Sequence, residues 1–208
     1  MTYRNRQNQG FTLIELMVTV AVLVIFTLIA LPSFEGVRQR SAIRGAADQV
    51  LSFWNQARLE ALKRNQMVKV GLVQSGNGAV FCLGAATTTA VADAVPCDCT
   101  QATPLSNICD VARFPADNSE WNAVTLSGVT LGGGTLITAM QPAVIDPKRL
   151  FLAVPADVGT ISLAGPPGRA SYRINLSVDR FGRGYLCQSA TAADSLSDYA
   201  NNNRRCSP

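Results

Sequence analysis

The chain predicts an α+β fold: a long N-terminal helix, apolar in its first half and amphipathic in its second, followed by a strand-rich region. Three observations predict it. Residues 11 to 31 are almost wholly apolar, with Glu15 as the one carboxylate. From Ser33 to Arg64 apolar residues recur at three- and four-residue steps, the period of a helix with one buried face. From Met67 onward that rhythm gives way to short alternating segments bounded by Gly, Pro and Asn, the pattern of strands and turns.

The N-terminal stretch comes first. Ten polar residues, Met1 to Gly10, carry Arg4 and Arg6 and no acid. Phe11 to Leu31 then reads as an apolar helix, which at about 1.5 Å per residue reaches across most of a bilayer. Thr12, Thr19 and Thr27 are tolerable there because their hydroxyls back-bond within a helix. Glu15 is not tolerable alone. A charged group in hydrocarbon costs roughly 2.5–3.5 kcal/mol on insertion scales, so it requires a partner. A cut after Gly10 would create one, an amine at Phe11. An ordinary secretory signal places its small-residue cleavage site after the apolar region, and no A-x-A-like site follows Leu31.

Pro32 interrupts the run. Inside a helix a proline removes one hydrogen bond and bends the axis, and the continuing pattern makes Pro32 a kink rather than an end. Beyond it, Ile43, Ala46, Ala47, Val50, Trp54, Ala57, Ala61 and Leu62 form an apolar stripe that should pack on a sheet. Arg44 with Asp48, and Glu60 with Arg64, are i,i+4 pairs worth a few tenths of a kcal/mol each. Arg38, Arg40 and Arg44 read as a solvated face. Asn65-Gln66 closes the helix.

Met67 to Val73 places Val68, Val70 and Leu72 on one face. The turn Ser75-Gly76-Asn77-Gly78 links it to Ala79–Leu83 as a hairpin. Residues 85 to 120 show little periodicity, and a loop of that length needs a staple. Strands are expected again at 123–126, 134–138, 149–154 and 159–163. After a turn at Pro166-Pro167-Gly168 comes the cleanest alternation, Ser171 to Val178, with Tyr172, Ile174, Leu176 and Val178 on one face. Asp179 to Gly184 then turns into Tyr185-Leu186-Cys187, and a polar tail runs to Pro208.

Six cysteines and no histidine shape the chemistry. Cys97-x-Cys99 is tighter than zinc spacings, and no histidine completes a metal site. Disulfides are the alternative in an oxidising compartment, and six cysteines allow 15 pairings. Cys187 with Cys206 is preferred because the two bracket a tail with little apolar surface. Cys82, Cys97, Cys99 and Cys109 then pair among themselves, with Cys97 and Cys99 too close to bond to each other. Lacking histidine, the chain cannot form a Ser-His or Cys-His dyad. It also has no P-loop and no GxGxxG, so no enzyme activity and no cofactor are expected. The formal charge is +4, from 18 basic and 14 acidic residues, and losing Arg4 and Arg6 would leave +2. Net charge of that size carries no argument about nucleic acid.

The basic leader, Gly10-Phe11, Thr12-Leu13-Ile14, Glu15 and the apolar run together resemble the class III signal of type IV pilins and pseudopilins. The resemblance implies cleavage between Gly10 and Phe11 by a prepilin peptidase and N-methylation of Phe11. It also implies pairing of Glu15 with a neighbouring subunit's terminal amine, and a kinked or locally melted helix at Pro32. It further implies a single-pass protein of the bacterial inner membrane with a periplasmic C-terminal domain, which enters a filament beside other major and minor pilins or pseudopilins. The long helix, early hairpin and late strand–turn–strand with a Gly-Arg turn resemble the GspH/FimT branch. The likeness extends over residues 1 to about 73 and from Arg149 to Cys187. That branch implies a β-sandwich-like pair of antiparallel sheets packed on the helix. The expected organisation is a leader at 1–10, a transmembrane and assembly helix at 11–32, an amphipathic helix at 33–66 and a globular domain at 67–208. The expected role is that of a minor pilin or minor pseudopilin in a filament-initiating tip complex.

A second role follows from the same branch. Some DNA-binding FimT proteins carry Gly-Arg-x-Arg in the last hairpin. Here the matching text is Gly182-Arg183-Gly184-Tyr185, with Tyr185 in place of the second arginine. If DNA is bound, Arg180 and Arg183 are the candidate contacts, helped by Arg204 and Arg205. Phosphate binding needs several cations on one surface, and a solvated turn with tail arginines is the favoured reading.

Overall fold

A computed structural model describes residues 11–75, 80–93, 95–100, 108–115, 124–133, 140–148, 150–165 and 172–188, with 196 and 206; no side chain is described at 29–35, 75, 133, 140 or 141. It divides into two compact units, Met1–Arg38 and Gln39–Pro208. Helix α1 spans Leu13–Arg64 and belongs to both.

In the first unit the helix begins at a cap. Thr12 precedes it, and its Oγ1 accepts a hydrogen bond from the Glu15 backbone N–H at 3.3 Å. Thr12-Leu13-Ile14-Glu15 therefore has the spacing of a capping box, and the carboxylate sits where the helix dipole favours a negative charge. Thr19 and Thr27 return their hydroxyl hydrogens to carbonyls one turn back, at 2.9 Å to Leu16 and 2.8 Å to Val24. The large apolar side chains from Leu13 to Leu28 are exposed all round. Among the described residues no helix is long and apolar enough to cross a membrane. The backbone is helical on both sides of Pro32.

In the second unit α1 buries one face. Ile43, Ala46, Ala47, Val50, Phe53, Trp54, Ala57 and Ala61 are buried. Leu62, expected on the stripe, is instead 47% exposed, because the buried face drifts off it in the last turn. The helix ends at Asn65, whose φ of 51° stops it. Two four-stranded antiparallel sheets receive the buried face. One has the order β3-β2-β1-β5, from β1 (Met67–Ser75), β2 (Val80–Thr88), β3 (Ala112–Phe114) and β5 (Met140–Ile145). The other has the order β4-β6-β7-β8, from β4 (Thr125–Val129), β6 (Gly159–Ala164), β7 (Arg173–Val178) and β8 (Gly184–Gln188). One core joins them: Val68, Val70 and Leu72 from β1, Leu83 and Ala85 from β2, and Ile174, Leu176 and Val178 from β7 all meet the helix residues.

Three expectations change here. Residues 149–154 do not form a strand: Leu150 has φ 55° and Leu152 makes only an isolated bridge to Ile145. Just before that segment, Met140–Ile145 is a strand despite Pro142. It lies at a sheet edge, where a missing N–H costs no ladder bond. The loop expected from 85 begins later, after β2 ends at Thr88, and contains β3. The strand expected at 134–138, the turn at 166–168, residues 76–78 of the turn at 75–78, and most of the tail lie outside the described residues.

Candidate assembly site and its supporting surface

Phe11 is 82% exposed and lies two residues before α1, with Glu15 exposed in its first turn. Gly10 lies outside the described residues. A cut there would leave an amine two residues ahead of a capped helix. Glu15 finds no cation among the described residues of its own unit.

The loop after β2 shows how the cysteines work. Along β1, Val68, Val70 and Leu72 face the core, so Lys69 and Gly71 face the other side of the sheet. That side is covered by residue 93 and residues 95–99. Lys69 is only 7% exposed, and its ammonium donates to Asp93 Oδ2 at 3.0 Å and to the Val95 carbonyl at 2.9 Å. Asp93 also accepts from Thr88 Oγ1 and the Val95 N–H. These bonds, Lys69 first, hold its carboxyl below the usual carboxylate range. Pro96 fills the space where a side chain on Gly71 would stand. Two disulfides lock the loop, Cys82–Cys99 and Cys97–Cys109, and the second presses both sulfurs onto the Cα of Gly84 in β2. At the far end Arg64 reaches from the helix to Asp110 Oδ2 at 2.8 Å. The third disulfide, Cys187–Cys206, ties the chain terminus to β8.

The β7–β8 turn holds the remaining candidates. Gly182 has φ 66°, and the Leu150 carbonyl lies where a Cβ would be, so glycine is required there. The buried Trp54 indole donates to the Gly182 carbonyl at 2.9 Å. Gly182 N–H donates to the Asp179 carbonyl at 2.8 Å, and Leu152 N–H to the Arg180 carbonyl at 3.3 Å. Arg183 gives both Nε and Nη2 to Asp179 Oδ2 at 2.9 Å. Arg180 is exposed with no carboxylate partner among the described residues. Arg204 and Arg205 lie outside them, so the four candidate DNA contacts are not seen together. Sequence reasoning missed Arg58, a half-buried helix residue beside this turn. Burial pulls its pKa down, with Asp179 opposing and Arg183 adding to the effect. It also missed the Lys69–Asp93 pair. A lysine between buried valines at the outward phase of a strand was the available signal for that pair.

The comparisons bear on the N-terminus. Residues 5–31 match the prokaryotic N-terminal methylation motif, the type IV pilin-like signal, which supports a pilin or pseudopilin family. None of the curated proteins and none of the solved structures matches the chain.

Proposed function

We propose that this chain is a minor pilin or minor pseudopilin of the GspH/FimT branch. In this reading prepilin peptidase removes residues 1–10, and Phe11 is methylated. The helix over 11–32 then holds the protein in the bacterial inner membrane, with the domain at 67–208 in the periplasm. From there it enters the initiating tip of a type IV pilus or a type II secretion pseudopilus, beside other pilins or pseudopilins. It acts by assembly rather than by catalysis.

The carrying observation is the methylation motif with Glu15 alone in an otherwise apolar helix turn. A helix that is apolar all round needs a cover, which lipid supplies during storage and neighbouring helices supply in a filament. Lipid is as apolar as a leucine side chain, so moving from one cover to the other yields no hydrophobic gain that depends on register. The polar pair between Glu15 and a neighbour's Phe11 amine can set that register. Glu15→Ala should therefore still be processed and membrane-bound, yet enter sheared filaments poorly. Normal incorporation would remove the ion-pair argument. The genes beside this one separate the two machines: secretion genes point to the pseudopilus, other minor pilin genes to the pilus. A DNA-receptor role has less support, since Asp179 occupies Arg183 and Tyr185 stands where a second arginine would be.

A further inference from the structure

The β7–β8 turn is more than a connection. Phe181 at its tip is 38% exposed and Phe151 beside it 40%, with ring centroids 5.1 Å apart and the planes at 73°. The guanidinium carbons of Arg180 and Arg183 lie 5.2 and 5.3 Å from the Phe181 centroid. Two half-exposed rings and two arginines thus share one small surface. Aromatic residues and arginine are the types that most often carry binding energy at protein interfaces.

The surface is held rigid from behind. The Trp54 indole, the Leu152 N–H and the turn's own hydrogen bonds fix the backbone from 179 to 183. A surface already in its bound shape loses little entropy on binding.

Its charge is unbalanced. Among the described residues Arg183 pairs with Asp179, and Arg180 beside it has no carboxylate partner. Arg58 Nε, behind the turn, is buried and out of reach of an incoming group. Arg180 has its N–H fork available, and stacking beside a ring leaves the in-plane donors of a guanidinium open to a carboxylate. One open fork suits a single anionic group. It does not suit a run of phosphates, whose affinity grows with each cation engaged.

We infer that this turn docks an acidic segment of a protein partner: one Asp or Glu on Arg180, flanked by apolar residues that cover Phe151 and Phe181. The inference rests on the filament reading for its biological setting and names the chemistry of the neighbour. The binding test needs neither processing nor assembly, so the two ideas fail separately.

The probe is a blocked octapeptide with one Glu between Leu and Phe, compared with its Gln counterpart. Each is titrated against the full chain in mild detergent, and the Trp54 indole and Arg180 Nε resonances are read. The Glu peptide is expected to bind in the range of about 1 mM or tighter. The Gln peptide should bind at least ~tenfold more weakly, as loss of a charged hydrogen-bond partner predicts. Arg180→Gln should abolish that preference, while Lys63→Gln, a surface cation elsewhere, should leave it intact. Equal affinity for the two peptides, or indifference to Arg180→Gln, would overturn the inference. A DNA duplex that binds more tightly than the Glu peptide and is lost in Arg180→Gln would overturn it in favour of nucleic acid.

Discussion

Gly84 offers a sharp test of how the loop after β2 is held. It lies in β2 opposite Gly71 in β1 and Arg113 in β3, so its backbone is fixed on both sides. A Cβ there would collide with the sulfurs of Cys109 and Cys97 and come within 3.3 Å of the Cys99 Cβ. Because those sulfurs are bonded to each other, neither can swing away alone. Gly84→Ala is therefore expected to cost about 2–3 kcal/mol, the upper part of the range for overpacking. Removing the bridge by Cys97→Ala with Cys109→Ala opens a loop closed over a separation of 12 residues. In the chain-entropy model that loss is about 3 kcal/mol. In this background the added methyl has room, and alanine is the better strand residue by about 0.5–1 kcal/mol. Gly84→Ala should then cost less than about 1 kcal/mol, giving a coupling of more than 1 kcal/mol between the glycine and the bridge. Urea titrations of the full chain in mild detergent, followed by tryptophan fluorescence, complete the cycle. If the cost of Gly84→Ala is the same with and without the bridge, to within about 0.5 kcal/mol, the packing argument is wrong.

Other expectations follow from single contacts. Asp93→Asn leaves the Lys69 ammonium, 7% exposed, without its counter-charge, at a cost of about 2–3 kcal/mol near neutral pH. Because Asp93 has a depressed pKa in the fold, the wild type's advantage is full above the unfolded carboxylate value of about 4 and is lost as pH falls through the folded one. Stability against pH for the two proteins checks this, and curves that stay parallel to low pH would refute it. Trp54→Phe removes the donor to the buried Gly182 carbonyl and some core volume, for about 2–3 kcal/mol in total. The Gly182 amide should then exchange faster than amides in β6, and an unchanged Gly182 rate would contradict the supporting role of the indole.

Much of the architecture was legible because it followed period. The three- and four-residue steps from Ile43 to Ala61 marked the buried helix face, and the alternation from Tyr172 to Val178 marked β7. Where period failed, so did the reading. Met140–Ile145 contains Gln141-Pro142, which looks like a break until the strand is known to be an edge. Residues 149–154 alternate like a strand, but the chain turns at Leu150 and meets Pro155, where a 3-10 turn begins. Ala112–Phe114 is three residues long, too short for any pattern, and pairs with β2 just after the bridged Cys109. The proposed assembly site rests on the text alone, since a lone carboxylate in an apolar run stands out whatever surrounds it. The surface at Phe151, Arg180 and Phe181 was not legible, since it joins two segments that only the packed turn brings together.

Processing at Gly10 is the claim on which the functional account stands. It is tested by the intact mass of the chain isolated from its native membrane, in cells with an active prepilin peptidase. The account predicts loss of residues 1–10, gain of one methyl on Phe11 and the mass deficit of three disulfides. A full-length chain, or a cut after Leu31 rather than after Gly10, would contradict it.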